Sequence, residues 1–264
     1  EISPSFSSFA ATEPKDDPRF LSSVERGFLV LDALAETTGP MSLTELSKAT
    51  GLAVPTLQRL TATLVKTGYL EKEPSSKRYR AAVKTVDLLY SYLSRNQFAK
   101  RAWPHLVKLR EDLGLDVSLS VPFGNSMIYV HRLPGYSGNF ENTLPGRRVP
   151  IHLSASGRCV LSFLEPSQIR TTLGSLPLSK LTPWSKVDIE EIQSEIAKCR
   201  KHGYAVVEQE ASPGTVTLAA PVTRASSAIA GVSVHSPTAG GDFQSIAERV
   251  LPSVISVSRA ISVN

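Results

Sequence analysis

The chain has 264 residues, 41% of them apolar, and carries 29 Lys and Arg against 24 Asp and Glu for a net charge of +5. That length sets two domains as the expectation, with apolar content enough for two cores, and so small a net charge names no partner. No run approaches 18 uninterrupted apolar residues, which excludes a membrane-spanning helix; two cysteines, Cys159 and Cys199, give no disulfide framework and no tetrahedral metal site, and fit a reducing cytoplasm.

The opening, EISPSFSSFAATEPKDDP, has no apolar signal core, so residues 1–18 read as a disordered arm short of its initiator Met rather than a targeting peptide. From Phe20 to Leu34 a helical pattern sets Val24, Phe28, Leu31 and Leu34 on one side. Ser42 with Glu45 three residues on forms a capping box ahead of Leu43, Leu46 and Ala49, and Gly51 ends that helix in a tight turn. The next helix begins near Pro55, buries Leu57, Leu60 and Leu64, and stops at Gly68. Its other face shows Thr56, Gln58, Arg59 and Thr63, side chains suited to reading base edges in a major groove. A strand from Tyr69 turns over Pro74-Ser75-Ser76 and returns through Lys77, Arg78, Tyr79 and Arg80, a cationic wing suited to phosphates. Between Leu46 and Lys84 eight basic side chains face two acidic ones, so the charge sits where the motif needs it. Helix-turn-helix geometry also serves RNA or protein docking; the order of capping box, turn, reading face and wing favours double-stranded DNA.

Residues 19–82 thus form a winged helix-turn-helix domain. At 83–96 a linker helix repeats Val83, Val86, Leu89, Tyr90 and Leu93, which makes it either a dimer element or a spacer packed on its own chain.

Residues 97–264 form a second domain. A helix through Ala102, Trp103, Leu106, Leu109 and Leu113 ends at Gly114, and alternation follows with Val117, Leu119 and Val121 inward, Ser118 and Ser120 outward. A turn at Phe123-Gly124-Asn125 leads into SMIYVHRL, then a short segment at Thr143 to Pro145 and an extended VPIHL into a helix starting near Ser154 to Ser156. Helices at Pro166 to Leu173 and Val187 to His202, strands at Tyr204 to Glu210, Val216 to Pro221 and Ile229 to Val234, and a last helix from Phe243 to Ile261 complete an α+β fold with one central antiparallel sheet.

No nucleophile elbow, dinucleotide loop, P-loop or H-E-x-x-H occurs, and the five histidines stand singly, so no cofactor or metal is indicated. His152 and His235 stand out because each lies beside serines at the end of an extended segment. Ser154-Ala155-Ser156-Gly157 fits an anion or small-ligand site, since small residues admit a ligand to unpaired helix-start amides; taken alone, the segment is better read as an N-cap with small residues for tight packing.

The order FLSSVERGFLVLDAL, SLTELSKATGLAVPTLQRLTATLVKTGYL, KRYRAA, LPGRRVPIHLSASGRCVLSFL, GYAVVEQEASPGTVTLAAPV and IAGVSVHSP resembles the IclR family of bacterial transcriptional regulators from about Phe20 to the C-terminus. The resemblance implies a winged helix on DNA, a linker helix, and a GAF-like domain that binds a small organic or aromatic acid effector. It also implies a homodimer, or a dimer of dimers, on a palindromic operator. Carried over by position, it puts effector contacts at Ala155, Ser156, Gly157, Val207, Thr215, Thr217, Ser233 and His235. Thr217 stands where many members have Cys, and His235 where the residue is often smaller; both make the pocket more polar, which implies a carboxylate carrying hydroxyls or a second polar group. Ala53-Val54-Pro55 departs from the more usual turn before the reading helix. Two other classes remain open: an enzyme of small-acid metabolism with an appended nucleic-acid domain, and an architectural DNA-binding protein whose second domain only dimerises, its pocket filled by side chains such as Phe140 or Trp184.

Overall fold

The computed structural model describes residues 19–136, 144–240 and 243–263. The expected arm at 1–18, Thr143 and Phe140 lie outside them. The chain divides into two compact units at Arg95/Asn96.

In the N-terminal unit, α1 (Ser22–Ala35), α2 (Leu43–Thr50) and α3 (Val54–Lys66) precede a two-stranded wing, β1 (Leu70–Lys72) and β2 (Tyr79–Ala81), and then α4 (Thr85–Arg95). The local signals act as read. Ser42 N–H donates to the Glu45 carboxylate at 2.7 Å, Glu45 N–H donates back to Ser42 Oγ at 3.3 Å, and Gly51 closes α2 in the left-handed region at φ 72°. The core joins Val30, Leu34, Met41, Leu46, Leu57, Leu70 and Tyr79. Met41 exchanges two backbone hydrogen bonds with Tyr79, each 2.8 Å, so the chain entering α2 pairs with the wing. One expectation needs correction. Val24 and Phe28 are exposed, because only the C-terminal half of α1 reaches this small core, through Val30 and Leu34. In α3, Thr61 is fully buried beside Leu57, its hydroxyl donating to the Leu57 carbonyl at 2.8 Å.

In the C-terminal unit, α5 (Gln97–Leu113) leads into the hairpin β3 (Asp116–Phe123) and β4 (Ser126–Leu133). Then come β5 (Arg148–Pro150), a 3₁₀ turn at Ile151–Leu153, and the helices α6 (Ala155–Leu161), α7 (Pro166–Gly174) and α8 (Ile189–His202). The strands β6 (Ala205–Glu208), β7 (Thr215–Arg224) and β8 (Ser227–Pro237) and the helix α9 (Phe243–Ile261) end the unit. All six strands form one antiparallel sheet in the order β5-β4-β3-β8-β7-β6, an α+β architecture consistent with a GAF-like fold.

One face of the sheet, carrying Val117, Leu119, Leu133, Leu218, Val232 and Val234, packs on Ala102, Leu106 and Leu109 of α5 and on Ile246, Val250 and Val254 of α9. Each large aliphatic buried there contributes roughly 1.5–3 kcal/mol. Trp103, expected in that stripe, is half-exposed and stacks edge-on with His131 instead. The alternation along β3 also needs correction: Ser118 and Ser120 point to the opposite face, yet both are fully buried, because α6 and its neighbours cover that face too. The approach of α6 is close. A Cβ on Gly157 would lie 2.1 Å from the Ile151 carbonyl oxygen, and one on Gly231 would lie 2.5 Å from Ser156 Cβ. Cys159 on α6 and Cys199 on α8, far apart in sequence, come to 3.6 Å sulfur to sulfur, both as buried free thiols.

Gly157→Ala should therefore destabilise the C-terminal unit by at least the roughly 1–3 kcal/mol of an overpacked site, because backbone and not a mobile side chain stands in the way. Urea unfolding with a midpoint equal to that of the parent chain would contradict this.

Candidate functional site

Two surfaces carry the chemistry, one in each unit. On α3, Gln58, Arg59 and Thr63 are exposed and Thr56 is half-buried. At about 100° per residue Thr56, Arg59 and Thr63 lie on one side of the helix, while Gln58 sits roughly 160° from Thr56 at the far edge of the exposed face. The Thr63 hydroxyl donates to the Arg59 carbonyl at 2.9 Å. In the wing, Lys77 occupies the turn at φ 59° and makes no side-chain bond among the described residues. Arg78 is employed inside the domain: it forks onto Glu45 at 2.8 and 2.9 Å and donates to the Pro40 carbonyl at 2.7 Å. Glu45 therefore serves the α2 cap and the wing together, and the Ser42 N–H, the Ser42 hydroxyl and Arg78 hold its pKa at about 2. Arg80 pairs with Glu71 at 2.8 Å, both well exposed, a contact weak enough for a phosphate to replace.

The C-terminal unit holds a cavity of about 260 Å³ on the α6-bearing face of the sheet, over the part that α6 leaves uncovered. Tyr129 and Arg132 of β4, Arg147, Arg148, Val207, Gln209, Glu210, Thr215, Thr217 and His235 contribute to its wall. A β-bulge makes this possible. Leu119 pairs with His131 but Ser120 pairs with Tyr129, so Val130 is the extra residue, and Tyr129 and Arg132, three apart, face the same side. Arg132 stacks over the Tyr129 ring at 4.6 Å, and its Nε is buried without a hydrogen-bond partner. His235 lies edge-on to Tyr129 with centroids 6.0 Å apart; its Nε2 is 2.6 Å from Ser118 Oγ and its Nδ1 3.1 Å from Thr217 Oγ1. Burial, and then the nearby Arg132 and Arg147 charges, push the His235 pKa well below its ordinary value, so the imidazole is neutral near pH 7.

At the cavity wall a buried ion pair acts as a brace. Arg158 of α6 meets Glu210 through two bonds of 2.7 and 2.8 Å, with side chains only 1% and 3% exposed, and its Nε donates to the His152 carbonyl. The Lys186 N–H and the Ser185 hydroxyl bind Glu210 from the loop before α8, at the carboxylate and the carbonyl respectively.

Residues 23–74 match the IclR helix-turn-helix domain, and residues 90–263 match the bacterial transcriptional regulator IclR C-terminal domain. The chain belongs to the IclR family of bacterial transcriptional regulators. It is 27% identical to the HTH-type transcriptional regulator XynR of Escherichia coli over 245 residues, 91% of this chain and 97% of that one. The fold is that of an IclR family transcriptional regulator from Brucella abortus, with a TM-score of 0.81, 22% identity and 98% of each chain covered. An IclR homologue from Microbacterium hydrocarbonoxydans, complexed with 4-hydroxybenzoate, superposes with a TM-score of 0.73 at 20% identity, covering 91% of this chain and 97% of that one. As a family member the chain is a DNA-binding regulator, and no helix among the described residues is long and apolar enough to cross a membrane.

Of the effector contacts expected in this IclR-family chain, Val207, Thr215, Thr217 and His235 line the cavity. Ser233 stands behind it, 3.1 Å from Ser118. Ala155, Ser156 and Gly157 are buried between α6 and the sheet and do not line the cavity; Ser154 caps α6 by accepting from Gly157 N–H at 3.3 Å. Ser156 Oγ, Ser120 Oγ and His152 Nε2 are buried without partners. Trp184, the expected pocket filler, is half-exposed. Sequence reasoning missed Arg132 and Arg147. For Arg147 the signal was present in LPGRRVP, a double arginine entering a strand; for Arg132 the bulge concealed it.

Desolvation holds the pKa of His131, His152 and His235 below the usual histidine value. The unfolded chain therefore takes up protons first as pH falls through about 6.5. Folding stability of the C-terminal unit should decline from pH 7 to pH 5, by up to about 1.4 kcal/mol per pH unit for each histidine still neutral in the fold. A urea midpoint constant over that interval would refute the assignment of neutral imidazoles.

Proposed function

We propose that the protein is a ligand-responsive regulator of a catabolic operon. It binds a palindromic operator as a homodimer or dimer of dimers, and it senses a small organic or aromatic carboxylate. It works on DNA in the cytoplasm and is a sensor rather than an enzyme. The observation that carries this reading is the arginine-lined cavity, which lies in a domain of its own alongside a family-typical DNA-reading head. The 4-hydroxybenzoate carried by one homologue supports an acid as ligand. Regulation follows if the acid is bound more tightly in one conformation of the oligomer than in another, since only differential affinity moves such an equilibrium.

At the operator, Thr56, Arg59 and Thr63 read bases from one edge of α3 and Gln58 from the other, while Lys77, Arg78 and Arg80 hold phosphates. Arg78 does this from a position fixed by Glu45, so Lys77 is the cleaner probe. Gln58→Ala should relax preference at one base position by about 1–3 kcal/mol. Lys77→Ala should weaken binding to all sequences alike and flatten the salt dependence by about one unit of log-log slope. Fluorescence anisotropy on a palindromic fragment from the adjoining promoter checks both, and unchanged binding in both variants would overturn the assignment of faces.

Self-association rests on α1 and α4. Phe28 is 57% exposed, Val86 56% and Tyr90 73%, and α4 buries none of its residues. So much bare apolar surface favours a partner, and a second copy is the one a palindrome requires. Val86→Glu should shift sedimentation velocity profiles towards monomer at micromolar concentration, whereas an unaltered distribution would place the interface elsewhere.

A further inference from the structure

The cavity specifies its ligand more narrowly than an acid in general, and this deepening rests on the reading of the cavity as the effector site. At about 260 Å³ it falls below the roughly 300–1,000 Å³ usual for drug-sized ligands, so the ligand is small. Its wall also includes Arg148, Gln209 and the acids Asp116 and Glu210, the latter held by Arg158, but two kinds of polar group carry the argument. Arg132 and Arg147 are cationic, and Arg132 keeps a buried Nε without a hydrogen-bond partner, a donor that a ligand oxygen would complete. The other kind is the uncharged cluster of His235, Ser118 and Thr217, of which Thr217 and His235 reach the cavity surface. Tyr129 touches both kinds, its ring stacked by Arg132 and met edge-on by His235.

We propose that Arg132 and Arg147 are the carboxylate anchor of this cavity and Thr217, backed by His235, its hydroxyl anchor, so that the effector is a small monocarboxylate carrying an uncharged hydroxyl. Thr217 Oγ1 shares one hydrogen bond with His235 Nδ1, and the direction of that bond depends on the tautomer. If the imidazole donates, the threonine hydroxyl has its proton to give; if the imidazole accepts, the threonine oxygen has lone pairs to offer. A ligand hydroxyl satisfies either arrangement because it both donates and accepts. A second carboxylate beside this cluster would lose its hydration and meet hydroxyls and a neutral ring. A hydrocarbon end would cover the Thr217 hydroxyl without replacing its water.

The test is isothermal titration calorimetry of the full chain with two matched series. One is 4-hydroxybenzoate, benzoate, terephthalate and 4-hydroxybenzamide; the other is 4-hydroxybutyrate, butyrate, succinate and 4-hydroxybutyramide. In at least one series the hydroxy acid should bind about tenfold or more tightly than its three relatives, as expected where buried polar groups would otherwise be left unpaired. Arg132→Gln should erase the preference for acid over amide, and Thr217→Val the preference for hydroxyl over hydrogen. Each variant is first checked for the parent's melting behaviour, and Arg147→Gln replaces Arg132→Gln if the latter does not fold. Terephthalate or succinate binding as tightly as its hydroxy acid overturns the proposal, as does a preference that survives these substitutions. If neither hydroxy acid binds, the proposal falls, while the sensor reading stands provided some other small carboxylate raises the melting temperature. If no small acid does so, the reading of the cavity as an effector site falls with it.

Discussion

Two opposite charges lie inside the C-terminal domain with almost no contact with water. Arg158 projects from α6, Glu210 follows β6, and their paired bonds of 2.7 and 2.8 Å are closed in by the His152 carbonyl and by the loop before α8. Desolvating such a pair offsets much of its Coulomb attraction, so the pair is better understood as a geometric constraint than as a source of net stability. Removing either partner alone would leave a buried charge unmatched, and the cost of that error forces α6, the 3₁₀ turn, the loop and the segment after β6 into one arrangement. The cavity wall includes Gln209 and Glu210, so this pair helps set the shape of the cavity.

The sheet places the rest. Its first face is aliphatic and is covered by α5 and α9. Its second face carries Ser118, Ser120, Thr217, Ser233 and His235, and burial of polar side chains there demands partners from within the protein. Where α6 presses on the sheet the partners are few, and the Ser120 and Ser156 hydroxyls go without. Where α6 stops, His235 gathers Ser118 and Thr217 into a chain of hydrogen bonds open to the cavity. Polar side chains and incomplete coverage are thus one feature: the cavity is the part of a buried face that the protein itself leaves unfilled.

The DNA-reading head shows similar economy. Glu45 completes the cap of α2 and also grips Arg78, so the helix that packs behind the reader and the strand that carries the wing share one carboxylate. Met41 adds a backbone pairing to Tyr79. A small domain with a single core holds its wing at a fixed distance from α3 through these contacts, which is what simultaneous engagement of groove and phosphates requires.

Sequence by itself determined the head almost completely, along with the order of elements in the second domain. Capping boxes, glycine stops, proline at a helix start and strand alternation are interactions across one to four residues, so their outcome is written within the segment that shows them. The faces were harder. Val24 and Phe28 continue the stripe of α1 beyond the reach of its core, and Ser118 and Ser120 look solvent-facing because nothing in β3 reports that α6 covers the other side. Arg132 was hidden by the bulge at Val130, since strict alternation sets it opposite Tyr129. The Arg158–Glu210 pair and the approach of Cys159 to Cys199 join residues 52 and 40 positions apart. Only tertiary structure decided these, because each depends on which distant segment fills the space beside a side chain, and periodicity describes the segment and not its neighbour.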